Sequence, residues 1–231
     1  MPDPTIVIVG ASRGLGLGIA TEAVARGWRV TGTVRGDART GLHDLADAHP
    51  GRVEVATLDM TAPDQIAALR QRLDDRAIDV LFVNAGIATR EAFARLETVD
   101  AAEFERVMLT NAYAPMRVIA ALADRVRAGG LIGAMSSGQG SIAGNERGDN
   151  DVYRASKAAL NMLMRSYAAR PEQKDRAFLL LAPGWIRTDL GGDKAPYTIA
   201  DSAPLLADLI LDGRRDPGLA FLDRSGKAVA W

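Results

Sequence analysis

Tyr153 and Lys157 stand four residues apart in Tyr153-Arg154-Ala155-Ser156-Lys157, in a chain with only four tyrosines and four lysines. On a helix that spacing puts both side chains on one face. A free phenol titrates near pH ~10 and is a slow proton donor at neutrality, whereas a neighbouring ammonium favours the phenolate and lowers that value. The pair is therefore suited to general acid/base work. The plainer alternative is a tyrosine packed beside a lysine whose stem runs along the surface, and the spacing alone leaves both open.

A second stretch has the chemistry of a phosphate site. Gly10-Ala11-Ser12-Arg13-Gly14-Leu15-Gly16 follows an apolar run and opens a helical pattern. Gly10 would allow a tight turn, Gly14 a close approach of the backbone to a pyrophosphate, and Gly16 close helix packing, with the helix N-terminus facing the anion. A turn with no ligand is the alternative. The same residues spell G-x-S-x-G, with Ser12 at the tip of a hydrolase elbow. That chemistry needs a histidine far downstream, and the only two, His43 and His49, come early in the chain. The strand expected at 29–34 runs into Arg35. With Arg13, it sets two guanidiniums where an adenosine 2′-phosphate would lie, which favours NADP(H); Asp37 keeps NAD(H) as the less favoured cofactor.

The elements that must position these groups are legible as alternating patterns. Continuous apolar, β-branched runs at 5–9, 29–34, 53–58, 80–83, 131–135 and 178–182, with a weaker one at 219–222, suit strands buried on both faces. Apolar residues recur at three- and four-residue spacing over 15–26, 63–73, 112–126, 152–167 and 202–211. Strands separated by helices predict βαβ units. The expectation is an α/β Rossmann fold: a doubly wound, mostly parallel sheet of about seven strands with helices on both faces, in a single domain over 1–231. The polar segment 137–151 leaves a strand end, which is where such sheets carry their ligand loops.

Composition narrows the chemistry further. The 231 residues are 48% hydrophobic and 25% charged, with a formal net charge of −1. Such a balance offers no field for nucleic acid or an anionic membrane. With no cysteine and two histidines, zinc chemistry is nearly excluded and no metal site is expected. No run approaches the roughly 20 apolar residues of a membrane span. Met1-Pro2-Asp3-Pro4 lacks the basic start of a secretory leader. A cytoplasmic location is the expectation.

Taken in order, these motifs resemble the short-chain dehydrogenase/reductases: Gly10 to Gly16, Asn84-Ala85-Gly86 after the fourth strand, Asn111 in the next helix, Ser136-Ser137 after the fifth strand, Tyr153 with Lys157, and Pro183-Gly184 after the sixth. Within that family, the segments around Ser137, Tyr153 and Pro183, together with Trp231, look like the branch of C-factor-like and sniffer-like carbonyl reductases. The resemblance implies an NADP(H)-dependent oxidoreductase moving hydride between the nicotinamide and a small carbonyl or alcohol. By resemblance, Tyr153 is the general acid in reduction and the base in reverse. Lys157 lowers its pKa and holds the nicotinamide ribose, Ser137 donates to the developing oxyanion, and Asn111 positions a water that links Lys157 to solvent. Ser12, Arg13 and Leu15 belong to the phosphate loop with its glycines. Asp59 and Met60 would meet the adenine, Asn84, Ala85 and Gly86 the adenosine side, and Pro183, Gly184, Ile186 and Thr188 the carboxamide end. The family also implies a homo-oligomer, dimer or tetramer. The alternative is a dinucleotide-binding regulatory or signalling protein on the same fold.

Three departures stand out. Val9 occupies the place where the family usually has threonine, so a hydrogen bond that organises the loop must be absent or replaced. Ser137 lies sixteen residues before Tyr153 and Ser141 twelve, and the family's usual interval falls between them; alignment on the strand end favours Ser137 with a three-residue insertion. The polar break at 169–176, with Pro171, falls in a part of the family that often forms a subunit interface.

Overall fold

Successive side chains of a strand point to opposite faces, so a strand covered on both sides must be apolar at every position. β1 (Thr5–Val9) shows this directly. Ile6 and Ile8 pack with Ile19 and Ala23 on one side of the sheet, whereas Val7 and Val9 pack with Leu69, Val118, Ile119 and Met164 on the other. Each such fully buried aliphatic side chain contributes about 1.5–3 kcal/mol of transfer free energy.

The computed structural model describes residues 3–231 apart from 75 and 214. Met1 and Pro2, on which the reading of the N-terminus partly rests, lie outside the described residues. β1 is joined by β2 (Arg29–Val34), β3 (Val53–Thr57), β4 (Ile78–Val83), β5 (Val126–Met135), β6 (Ala177–Ala182) and β7 (Gly218–Asp223). They form one sheet in the order β3-β2-β1-β4-β5-β6-β7, and every neighbouring pair is parallel. The helices are α1 (Gly14–Ala25), α2 (Gly41–Ala48), α3 (Pro63–Leu73), α4 (Ala101–Met108), α5 (Ala114–Leu122), α6 (Asp151–Ala168) and α7 (Ile199–Ala207). α3, α5 and α6 cover one face of the sheet; α1, α2 and α7 cover the other. Strand order reverses between β1 and β4, which opens a crevice at the carboxyl ends of the strands.

Several boundaries differ from the periodicity, among them α7, which starts at Ile199 and ends at Ala207 where the pattern predicts 202–211. The helical pattern at 112–126 ends at Leu122, and after a short 3-10 turn Val126 already pairs with Ile78. β5 thus starts before its apolar run because Arg127, Ala128 and Gly129 are exposed there, and backbone pairing is all that marks them as strand. α4 is missing from the expected helices. Asp100 caps it by accepting from the Glu103 amide (2.7 Å), and a π-helical turn at Leu109–Tyr113 joins it to α5.

Candidate active site

The glycine loop is built by close approach. Gly10 has φ +84, and a side-chain carbon placed on it would lie 2.7 Å from the Ala85 Cβ. One placed on Gly16 would lie 2.0 Å from the Gly10 carbonyl oxygen and 2.7 Å from the Asn84 amide nitrogen. Asn84 Nδ2 in turn donates to the Gly10 carbonyl (2.9 Å). Only glycine fits either position, and the loop is thereby fixed to the end of β4. Arg13 precedes α1 without a side-chain cap, and the first turn carries no acidic residue, so the opening amides face outward with the positive end of the helix dipole. The threonine that Val9 displaces has a substitute on the next strand: the Gly10 amide donates to Thr33 Oγ1 (2.9 Å).

The groups expected at the adenosine end lie along the strand ends beside this loop. Arg35 is exposed, directly after β2. Asp59 Oδ1 accepts from the Thr61 amide (2.9 Å) and hydroxyl (2.6 Å). These hydrogen bonds hold its carboxyl below the ordinary range, and the positive charge of Arg35 adds to the effect. Met60 is buried beside it. Arg13 Nε pairs with Asp189 across the crevice at 3.1 Å.

Ser137, Tyr153, Lys157 and Asn111 converge at the end of β5. Lys157 is buried and donates to the Met135 carbonyl (3.0 Å). Its Nζ lies 5.8 Å from the Tyr153 ring centroid. Desolvation pushes the lysine down to about 8. The Tyr153 phenol moves the other way: burial raises it, and the Ser137 side chain, approaching as a hydrogen-bond partner, offsets part of the rise. The phenol is thus raised and not lowered as its spacing from Lys157 predicts, because taking a phenolate out of water disfavours it.

Asn111 is fully buried in the π turn, a local widening that recurs at functional sites. Its Oδ1 accepts from the Ile87 amide (2.8 Å), and its Nδ2 donates to the Ile87 carbonyl (2.8 Å) and Ser156 Oγ (3.0 Å). One lone pair of Oδ1 remains. Gly86 stands between this group and the lysine, since a side-chain carbon there would be 3.2 Å from Lys157 Nζ and 3.4 Å from Asn111 Oδ1. Ser141 is turned into its own loop, accepting from the Gly144 amide (2.9 Å). Ser136 is bonded to Asn161 inside the protein (2.6 Å).

After β6, Gly184 takes φ +86 and Ile186 is buried. Thr188 Oγ1 accepts from the Gly191 amide (3.1 Å), and its methyl lies 3.7 Å from where a Gly14 side chain would begin. The segment thus faces the glycine loop. Thr33, Ser156 and Asn161 were not apparent from sequence, since each acts across the sheet or along one helix on a partner no local motif names.

Residues 4–197 match the family model for short chain dehydrogenases. The chain belongs to this family of oxidoreductases. Several relatives share nearly its full length. A short-chain dehydrogenase/reductase from Burkholderia multivorans, solved with bound NADP, is 52% identical with a TM-score of 0.97, each chain fully covered. A carbonyl reductase from Pseudomonas aeruginosa in complex with NADP is 37% identical (TM-score 0.91), again over the whole of both chains. Among short-chain dehydrogenase relatives of known sequence, the C-signal protein of Myxococcus xanthus is 35% identical, over 67% of this chain and 93% of its own.

Proposed function

We propose that this chain is an NADP(H)-dependent carbonyl reductase or alcohol dehydrogenase acting on a small molecule, with Tyr153 as general acid and base. The carrying observation is the cluster at the end of β5, where half-buried Ser137 meets the buried Tyr153 and Lys157, on the same edge of the sheet as the glycine loop. A protein that only bound a dinucleotide would have no use for a buried phenol paired with a serine hydroxyl beside that lysine. A signalling role like that suggested by the C-signal name would be an addition to this chemistry.

The crevice suits the cofactor found in the Burkholderia and Pseudomonas relatives. The loop from Gly10 to Gly16, with Ser12 and Leu15, would hold the pyrophosphate, and Arg13 and Arg35 the 2′-phosphate. Asp59, Met60 and Asn84 to Gly86 would line the adenosine side, and Pro183 to Thr188 the carboxamide end. NADP(H) bound there supplies or takes up the hydride. In reduction Tyr153 Oη delivers its proton to the substrate carbonyl oxygen; burial keeps the phenol protonated until negative charge grows on that oxygen. Ser137 Oγ donates to the same oxygen, which stabilises charge in the transition state. Lys157 keeps two donors free for ribose hydroxyls, and its charge steadies the phenolate left behind. A proton returns through Lys157 from water held beside Asn111 Oδ1. The reading also has the protein cytoplasmic, a single domain and self-associating.

The test follows NADPH absorbance against a panel of ketones and aldehydes. Tyr153→Phe is expected to lower kcat by about 10²–10⁴ while leaving NADPH affinity within about twofold. Equal turnover by the variant would remove Tyr153 from the chemistry.

A further inference from the structure

The loop over 138–150 leaves Ser137 and returns to α6 two residues before Tyr153, so both groups of the proposed site hang on its ends. Its ends are tied to α6, Asn161 Nδ2 donating to the Gly140 carbonyl (3.2 Å) and Arg154 Nε to the Asp149 carbonyl (2.8 Å), whereas other hydrogen bonds lie within the loop: the Gly144 amide donates to the Ser141 hydroxyl, the Gly148 amide to Asn145 Oδ1 (3.2 Å), and Asn150 Nδ2 to Gln139 Oε1 (2.9 Å). Little apolar packing holds its middle. Ile142 is 77% exposed, and between the loop and the start of α6 lies an open depression of about 340 Å³ bordered by Ser141, Ile142, Asn145, Arg154 and Ala155.

One distant residue reaches that middle. The Ala143 amide donates to the main-chain oxygen of Trp231 (2.9 Å). The Trp231 ring lies 5.4 Å from Phe221, a core residue of β7, and 5.9 Å from the Arg165 guanidinium on α6, two turns beyond Lys157. The strand of chain leading to it is fixed to the sheet, with the Val229 amide donating to the Phe221 carbonyl (2.9 Å) and Ala228 paired antiparallel to Leu222. A line of contacts therefore runs from the sheet core through Trp231 to the middle of a loop whose ends are tied to α6.

We propose that Trp231 is a positioning residue for the reaction, clamping the 138–150 loop so that Ser137 and Tyr153 keep their mutual placement. The inference rests on the proposed roles of those two residues, but the loop's attachment is measurable without them. Removing the ring takes away the contacts with Phe221 and Arg165 that hold Trp231 beyond the paired Ala228 and Val229, and the main-chain oxygen that anchors Ala143 is loosened with it. Ser137 and the entry to the Tyr153 helix then sample more positions, which weakens substrate binding and alignment.

Arg147 is exposed within the loop, and Arg52 is exposed in the turn before β3, at the opposite end of the parallel sheet, so tryptic cleavage after each, read by mass spectrometry on the native protein, gives a loop signal and an internal reference. Trp231→Ala should raise the Arg147 to Arg52 cleavage ratio about tenfold, and Trp231→Phe should restore most of it. Carbonyl KM should rise by a similar factor with the pH profile of kcat unmoved. An unchanged ratio in Trp231→Ala, or a rise at both sites together with a fall in Tm, overturns the clamp. If the ratio moves but no carbonyl is ever reduced, the proposed function fails and the loop attachment stands.

Discussion

Lys157 carries the most informative chemistry of any single residue. A buried ammonium loses hydration that one carbonyl contact does not replace, so its proton comes off at about pH 8 in the free protein. The Tyr153 phenol is raised by its own burial, so on raising the pH the lysine is the first of the two to discharge. With Lys157 neutral, the ribose and the nascent phenolate lose their positive partner. We therefore expect kcat/KM for carbonyl reduction to fall on the alkaline side with a midpoint near 8, and Lys157→Arg, whose charge persists, to move that limb upward. A limb that stays in place in the arginine variant would assign it to another group. The Tyr-Lys spacing was legible because a helix turns it into proximity. The directions of the two pKa shifts were not, since burial is a property of the packed helix and not of the pentapeptide. Counting from the strand end favours Ser137 over Ser141, and the structure turns Ser137 toward Tyr153 and Ser141 toward Gly144.

At the scale of elements, patterns buried on two faces could be read and those held by backbone pairing or insertion could not. β1 after Thr5 and all of β6 are apolar and buried, and they stand within one residue of where their runs predict. The early start of β5 and the π turn that carries Asn111 have no such signature, because exposed residues and one inserted position leave the apolar repeat unclear. Thr33 shows the same limit across strands. It lies on β2, yet it serves the loop after β1 by accepting from the Gly10 amide. Thr33→Val keeps the shape and removes the acceptor, leaving a poorly solvated N–H. We expect a loss of about 1–3 kcal/mol in urea unfolding and weaker NADPH binding, with Thr33→Ser recovering both. Unaltered cofactor affinity in Thr33→Val would mean the loop is held by Asn84 and Ala85 alone.

For the whole molecule, the parallel sheet gathers groups far apart in sequence at one edge. Gly10 follows β1, Arg35 β2, Asp59 β3, Gly86 β4, Ser137 β5 and Thr188 β6. None of these groups is assembled in the unfolded chain, so a dinucleotide binds the folded state alone and must stabilise it by mass action. At about 100 times its Kd, NADPH should add about 2.7 kcal/mol, which for a chain of this length corresponds to a rise in Tm of about 5–10 °C. On the proposed assignment, Arg35 and Arg13 add to this only through a 2′-phosphate, which NADH lacks. At equal concentrations NADH should therefore give a clearly smaller rise, and Arg35→Ala should shrink the NADPH shift toward the NADH value while leaving the latter nearly unchanged. The loss at Arg35 is expected to be about ten- to a hundredfold in NADPH affinity, the range for a charge-assisted hydrogen bond. Thermal unfolding of both proteins with each cofactor decides it: equal shifts from NADPH and NADH in the unaltered protein would overturn the assignment of the 2′-phosphate to these two arginines.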